Sequence, residues 1–321
     1  MKKKYYFLLC LYCLPLCAFA QSDQHYTMFM FDKLLYNPGY TGSRDVTSIN
    51  VQNRLQWLGL GGHEGVRSAN ISVDGPIGTY MKPFRKIAIG LSVSREETNV
   101  QVNTDFRAYY AYRIKLKNSV LSLGLSGGAN LYTARYDHLI LYDPQDPNFT
   151  GEIINAAQPN FGTGAYWSGD KFFCGLSVPN LLQNQYDAKE AKTSSRPAQQ
   201  VRGYYLSGGY VFPINDIITL KPQAIVRFAG NGYYRLPVNC DINLSATAYD
   251  RIMAGITYRT DNSLEFIIHM QVSVRFNVGY AYDYLMSDLG PYAKGAHELV
   301  LGYDFNHERL KFTAPRFSKE F

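Results

Sequence analysis

The sequence alternates apolar and polar residues with a period of two, in one stretch after another, and this pattern limits the fold more than any other feature. It is clearest near the end of the chain. One parity is apolar or aromatic and comprises Val274, Phe276, Val278, Tyr280 and Tyr282. The other parity is small, polar or charged and comprises Arg275, Asn277, Gly279, Ala281 and Asp283. Side chains on a β-strand point alternately to opposite faces, so this stretch predicts a strand with one apolar face.

Stretches of this kind recur along the whole chain, with turn residues between them. They cover residues 46–57, 68–76, 86–95, 102–117, 120–132, 159–168, 171–178, 202–212, 217–228, 234–249, 251–260, 263–270, 274–285 and 297–305. Most are long enough for a tilted transmembrane strand, which needs about 9–11 residues. The pattern predicts an all-β fold, an antiparallel β-barrel of about 14 strands in the outer membrane.

The lengths of the connections separate this prediction from a soluble β-sandwich. If the chain starts on the periplasmic side, the outward connections are 58–67, 96–101, 133–158, 179–201, 229–233, 261–262 and 286–296, and most exceed the inward ones. Bacterial outer-membrane barrels combine long outer loops with short periplasmic turns. A soluble sandwich has no reason to sort its loops in this way, so we favour the membrane barrel.

The ends of the chain lie outside the predicted barrel, which spans residues 45–305. Residues 1–20 combine three lysines, an apolar stretch and an Ala18-Phe19-Ala20 cleavage motif, which together predict a secretory signal peptide. Residues 21–44 are expected to lie in the periplasm or to plug the barrel, and residues 306–321 to form a periplasmic tail. No apolar run of about 18 residues follows the signal, so a transmembrane helix is not expected.

The non-apolar parity collects charged residues that would face the lumen of a barrel. These are Arg107, Arg113, Lys115, Lys221, Arg227, Arg251 and Arg275, with Asp241, Asp283 and Glu298. Facing lipid near the midplane, Arg and Lys cost about 2–4 kcal/mol each. The lining permits two interpretations, a selective pore or mutually paired charges. Pro222 lacks a backbone donor and predicts a bulge or bend within its strand.

The sequence offers little chemistry for an enzyme or a cofactor. It contains no P-loop, no H-E-x-x-H metal motif and no G-x-S-x-G elbow. We therefore expect no catalytic activity, cofactor or metal. Two alternatives are left by the sequence: a hydrolase site assembled from residues on different strands, and a calcium site in the acidic loop 143–148. Without the signal peptide the formal charge falls from +6 to +3, too little to indicate nucleic-acid binding. Cys174 and Cys240 lie on the apolar parity of their predicted strands. They are expected either to be free thiols that face lipid or to form a disulfide with each other.

Ordered sequence blocks resemble one family across nearly the whole mature chain. They are Asp23-Gln24-His25-Tyr26, residues 35–43 around Asn37-Pro38-Gly39, Arg54-Leu55-Gln56-Trp57, residues 159–164, residues 175–181, residues 279–284, Ser287-Asp288-Leu289 and His297-Glu298. Together they are similar to the PorP/SprF family. One departure is Gly39, where alanine is expected more often.

The resemblance implies an outer-membrane barrel of the type IX secretion and gliding machinery. Members are thought to help export or anchor large surface adhesins by the adhesins' C-terminal domains, and periplasmic secretion components are implied partners besides outer-membrane lipid. The alternative is a porin or small-solute transporter. The candidate partner-binding residues, which equally suit barrel closure, are Asn37, Pro38, Arg54, Gln56, Trp57, Tyr282, Asp283, Ser287 and Asp288. Because the first and last strands of a barrel are neighbours, Arg54–Trp57 and Tyr282–Asp288 should lie close together.

Overall fold

A computed structural model of the 321-residue chain describes residues 26–58, 65–78, 85–98, 100–135, 153–185, 200–230, 238–287 and 290–305. The predicted signal peptide, the acidic loop 143–148 and the predicted tail 306–321 lie outside these ranges. Within them, no helix has both the length and the apolar character of a membrane span. The helices that are described are two 3-10 turns, η1 (Lys33–Leu35) and η2 (Pro38–Tyr40).

Strands account for most of the described chain, and each predicted stretch corresponds to one of them or to a broken one. Their bounds are β1 (Thr47–Gln56), β2 (Val66–Ile77), β3 (Ile87–Glu97), β4 (Gln101–Lys115), β5 (Ser119–Arg135), β6 (Ile153–Gly169), β7 (Phe172–Val178), β8 (Arg202–Tyr210), β9 (Phe212–Pro213), β10 (Ile218–Gly230), β11 (Asn239–Ala248), β12 (Ile252–Arg259), β13 (Ser263–Gln271), β14 (Phe276–Leu285) and β15 (Ala296–Phe305).

These strands form one closed antiparallel sheet. Each pairs with the next along the chain, and β1 pairs with β15 from Thr47↔Phe305 to Gln56↔Ala296, which closes the barrel. β8 and β9 are two pieces of one strand, since both pair with β10. The barrel therefore has fourteen strands around its wall, which confirms the fold predicted from the sequence.

The break between β8 and β9 lies opposite Pro222. The ladder with β10 holds at Leu220↔Phe212 and resumes at Gln223↔Gly209, so Lys221 and Pro222 are left out of it. Proline has no N–H to donate to a neighbouring strand, which explains the interruption. On its other side Pro222 stays in register with Leu244 of β11.

The two faces of the wall differ as the alternation predicts. Outward-facing side chains are apolar and strongly exposed, among them Leu91 at 58%, Leu125 at 60% and Leu176 at 59%. Inward-facing side chains are mostly polar and buried, for example Asn50, Asn243 and Asn277. This is the arrangement of a barrel whose outer surface contacts lipid. Cys174 and Cys240 are both free, so the bridged alternative is wrong.

The two ends of the barrel carry different connections. The end that we call the long-loop mouth has connections 57–65, 98–100, 136–152, 179–201, 231–238, 260–262 and 286–295. The opposite end, the short-turn mouth, has connections 78–86, 116–118, 170–171, 214–217, 249–251 and 272–275. In the turn after β11, Tyr249 and Asp250 both have positive φ, 52° and 51°, as a tight type I′ hairpin turn requires.

Residues 26–46, which we call the luminal segment, occupy the interior of the barrel. Met28 and Leu34 are completely buried, and Tyr26, Phe29 and Phe31 are nearly so. They pack against inward-facing side chains of the wall, forming a core at the centre of the barrel. This described part of the N-terminal region thus lies inside the lumen rather than in the periplasm, and it extends well beyond a plug at one mouth.

Candidate functional site

The luminal segment runs through the barrel from one mouth to the other. Its first described residue, Tyr26, lines a cavity at the long-loop mouth together with Glu96 and Asn103, which lie near the ends of β3 and β4. Near the end of the segment, Asp45 pairs with Arg113 at 2.6 Å, close to the short-turn end of β4. The N-terminal side of the segment is therefore directed toward the long-loop mouth, a direction that the sequence did not reveal.

The Asn37-Pro38-Gly39 block docks on a part of the wall that lacks side chains. Gly124 of β5, Gly164 of β6 and Gly175 of β7 line this part, which we call the glycine wall, and a Cβ atom on any of them would meet Asn37, Pro38 or Gly39.

Asn37 is held there by hydrogen bonds on both sides of its amide. Its Nδ2 donates to the carbonyl of Ala165 at 3.0 Å, and its Oδ1 accepts from the N–H of Gly39 at 2.8 Å. The second bond caps η2. Asn37 and Pro38, predicted as candidate partner contacts, are buried contacts of the barrel interior.

A buried lysine fixes the same region of the segment. The Nζ atom of Lys33 lies 3.3 Å from the ring centre of Phe173 and 5.8–5.9 Å from those of Tyr166 and Tyr40. Tyr166 packs edge-on against Tyr40 with ring centres 5.3 Å apart. A cation over aromatic faces gains more when water is excluded, so this cage favours the observed position of η1 and η2.

A second set of contacts is ionic. Seven successive strands of the wall each contribute an inward-facing charged residue to one connected set, which we call the ionic belt. Its members are Arg227 of β10, Asp241 of β11, Arg259 of β12, Glu265 of β13, Asp283 of β14, Glu298 of β15 and Arg54 of β1. Their side chains are between 0% and 6% exposed.

The distances show a chain of ion pairs across neighbouring strands. Arg227 Nη2 and Arg259 Nε lie 2.8 and 3.1 Å from opposite oxygens of Asp241. Arg259 Nη2 lies 2.7 Å from Glu265 Oε1, and Arg54 Nη2 lies 2.6 Å from Asp283 Oδ2. Ion pairs in a buried site stabilise only when hydrogen bonds satisfy their atoms, and losing one partner is costly.

The luminal segment completes the belt at Glu298. Its two carboxylate oxygens accept hydrogen bonds from the backbone N–H of Thr27 at 2.7 Å and of Met28 at 2.9 Å. The Thr27 hydroxyl donates to Asp283 Oδ1 at 2.7 Å and also accepts from Arg54. The beginning of the segment is thus tied to β1, β14 and β15 by charge-assisted hydrogen bonds.

The phenols of Tyr26 and Tyr36 are both buried in the core that the luminal segment forms. The backbone N–H of Tyr26 donates a hydrogen bond to the Tyr36 hydroxyl oxygen at 3.2 Å. This bond joins the first described residue of the segment to the residue that follows η1.

The candidate residues at the end of β1 and at the end of β14 do converge. Arg54, Gln56, Trp57, Asp283 and Ser287 line one cavity of about 90 Å³ at the long-loop mouth. Asp288 falls outside the described residues. Tyr282 is not part of this cavity, because it faces outward with its ring 5.2 Å from that of His297.

A larger cavity, of about 140 Å³, lies at the same mouth between the luminal segment and β3 to β8. Arg107 closes one side of it by donating to the Pro179 carbonyl at 2.9 Å and to Asn180 Oδ1 at 2.8 Å. Asn160 binds both backbone groups of Leu182, at 3.0 Å each. The start of the outward connection 179–201 is therefore held against the inside of the wall.

The predicted lumen charges fall into two groups. Arg107, Arg113, Arg227, Asp241 and Asp283 are buried in the interior. Arg275 and Arg251 are exposed in the turns before β14 and β12, and Lys115 is exposed as the last residue of β4. All three lie at the rim of the short-turn mouth, so they are not among the buried charges of the interior.

The prediction from sequence missed Arg259, Glu265 and Arg44. Arg259 and Glu265 lie on the inward parity of the predicted stretches 251–260 and 263–270, so collecting every charged residue of that parity would have found both. Nothing in the local sequence signals Arg44. It pairs with Asp304, which is 260 residues away and is reached only because the segment folds back inside the barrel.

Comparison of the sequence with known protein families gives a match over most of the chain. Residues 18–303 match the family described as type IX secretion system membrane protein PorP/SprF. No curated protein matches the sequence.

Solved structures with a similar fold are outer-membrane proteins of low sequence identity. Omp33 of Acinetobacter baumannii is 8% identical with a TM-score of 0.45, covering 83% of this chain and 100% of its own. A Pseudomonas aeruginosa FadL homologue is 12% identical with a TM-score of 0.45, covering 85% and 94%. The NanC porin is 11% identical with a TM-score of 0.40, covering 81% and 98%.

Proposed function

The chain belongs to the PorP/SprF family of type IX secretion membrane proteins, and from this premise we propose that it is a closed outer-membrane barrel that helps to export or anchor a surface adhesin. In this role it recognises the adhesin's C-terminal domain and contacts periplasmic components of the secretion system. Catalysis has no part in the proposal, since binding and retention require no covalent step.

The filled lumen is the observation that carries this proposal. The luminal segment occupies the interior, and Thr27, Met28 and Leu34 have no exposed surface. A protein that conducts solutes needs a continuous aqueous path, whereas a scaffold that holds other proteins does not. The cavities at the long-loop mouth instead offer concave sites where a partner can dock.

The genetic test is deletion of the gene. We expect one large surface adhesin to be lost from the cell surface or to remain unsecreted, measured by surface proteomics and by immunoblot of the medium. Complementation with Trp57→Ala/Ser287→Ala, at the smaller cavity, should restore barrel assembly but less surface adhesin than the wild-type gene.

The control for that variant is Arg95→Ala. Arg95 is about half exposed and pairs with the equally exposed Glu97 outside the cavity, so its loss should leave adhesin display intact. A deletion strain that keeps every adhesin on its surface at normal amounts would refute the proposed function.

A second candidate function is a small-solute transporter, which the buried arginines Arg107, Arg113 and Arg227 favour. Conductance recorded in planar bilayers distinguishes the transporter from the adhesin-binding barrel. We expect the purified protein to show no steady conductance, because the luminal segment blocks the barrel, and deletion of residues 26–45 to produce one. Steady channels in the unaltered protein would support the transporter instead.

A further inference from the structure

The junction between β1 and β15 differs from every other junction of the wall. All other neighbouring strands follow one another in sequence, whereas β1 and β15 come from opposite ends of the barrel sequence. Their pairing runs over the full length from Thr47↔Phe305 to Gln56↔Ala296. No turn holds these two strands together, so the closing contact must be made across the whole chain. We call this junction the seam.

The luminal segment contacts both sides of the seam at both of its ends. Near the long-loop mouth, Thr27 bonds to Arg54 of β1 and to Glu298 of β15. Near the short-turn mouth, Arg44 donates to Ser48 of β1 at 2.9 Å and forms a two-pronged ion pair with Asp304 of β15.

These bridging contacts are protected from water. Arg44 and Asp304 have side chains that are 6% and 2% exposed, and Arg54 and Glu298 are 2% and 0% exposed. Bidentate Arg–carboxylate pairs combine charge with fixed geometry, and salt screens them little when they are buried. Elsewhere around the wall the segment's polar contacts include Asn37 with β6 and Asp32 with Asn70 and Ser72 of β2, and those strands are adjacent to strands that precede or follow them in the chain.

We propose that the luminal segment is an internal clasp that keeps the β1–β15 seam shut, in addition to blocking the lumen. Moving the β1 side away from the β15 side breaks the Arg44 and Thr27 contacts together. Withdrawing the segment takes the Arg44 guanidinium away from Asp304 and two backbone N–H donors away from Glu298. The barrel then opens at the seam before it opens at any hairpin.

The test measures unfolding of the purified full-length barrel in lipid vesicles, in a Cys174→Ser/Cys240→Ser background. Arg44→Gln removes one end of the clasp without altering the wall. We expect it to unfold in urea at least about tenfold faster than the parent, since losing one partner of a buried pair is strongly destabilising.

Two engineered disulfides then show at which strand junction the barrel opens first. Asn53→Cys/Leu299→Cys joins directly opposed, outward-facing positions across the seam. Leu91→Cys/Ala108→Cys joins an equivalent outward pair across β3 and β4. When formed, the seam disulfide should return Arg44→Gln to the parent rate, and the β3–β4 disulfide should not.

The matched variant is Arg227→Gln, which breaks a buried pair with Asp241 between β10 and β11, away from the seam. The seam disulfide should leave its faster unfolding largely unchanged. Equal rescue of Arg44→Gln by both disulfides, rescue by neither, or equal rescue of Arg227→Gln by the seam disulfide would each overturn the clasp. The unfolding rate is measured without an adhesin, so a failure of the clasp proposal can be distinguished from a failure of the proposed function.

Discussion

Replacing Arg259 with leucine should lower the free energy of unfolding by roughly 3–5 kcal/mol, the usual consequence of removing one partner from a buried ion pair. Arg259 lies within 3.1 Å of Asp241 and 2.7 Å of Glu265, and 3.9 Å from Asp283. Asp241 keeps Arg227 and Asp283 keeps Arg54, but Glu265 loses the cation it faces. Its Oε2 accepts no hydrogen bond among the described residues, so little else compensates its charge.

Urea unfolding in lipid vesicles, followed by tryptophan fluorescence, measures this effect. The double variant Arg259→Leu/Glu265→Leu should recover a large part of the loss, because replacing both members of a buried pair with apolar side chains is often neutral. Arg95→Ala removes an exposed pair and should change stability by about 0–1 kcal/mol. A loss for Arg259→Leu no larger than that for Arg95→Ala would contradict the structural role of the ionic belt.

Gly124→Ala should destabilise the barrel by about 1–3 kcal/mol and give it measurable conductance, because the new methyl group occupies the place of the Pro38–Gly39 backbone. A flexible side chain could move aside, but this backbone is fixed by the Asn37 cap and by the Lys33 cage. The relief available is therefore a shift of the luminal segment away from the wall.

Gly127 provides the matched control, three residues along the same strand on the outward face. A Cβ atom there meets only the ring of Phe161, at 3.4 Å, which is an ordinary contact. Gly127→Ala should be neutral or slightly stabilising, since glycine weakens a strand. Urea unfolding and planar-bilayer recording measure both variants. If the two alanine variants are equally stable and neither conducts, the luminal segment does not pack against the glycine wall as described.

The predictable part of the barrel and of its candidate site is the part that alternation encodes. The inward placement of Arg107, Arg227 and Asp241 follows from parity alone, and so does the outward placement of Leu125. A closed sheet also places β1 beside β15, and Arg54 of β1 reaches past β15 to Asp283 of β14. Arg275 shows where this inference ends, because alternation predicts side-chain direction only within a strand and Arg275 lies in the turn before β14.

The fourteen-stranded wall, its lipid-facing and inward faces and its closure can all be predicted from the amino-acid sequence, because a period of two fixes side-chain direction residue by residue. Tertiary structure alone decided that residues 26–46 thread the lumen, that Asn37 seats against glycines and that Arg44 reaches Asp304. The hydrogen bonds of Asn37 to Ala165 and of Arg44 to Asp304 join residues 128 and 260 positions apart. They depend on the radius of the closed barrel and on which wall positions lack side chains, and no local pattern carries that information.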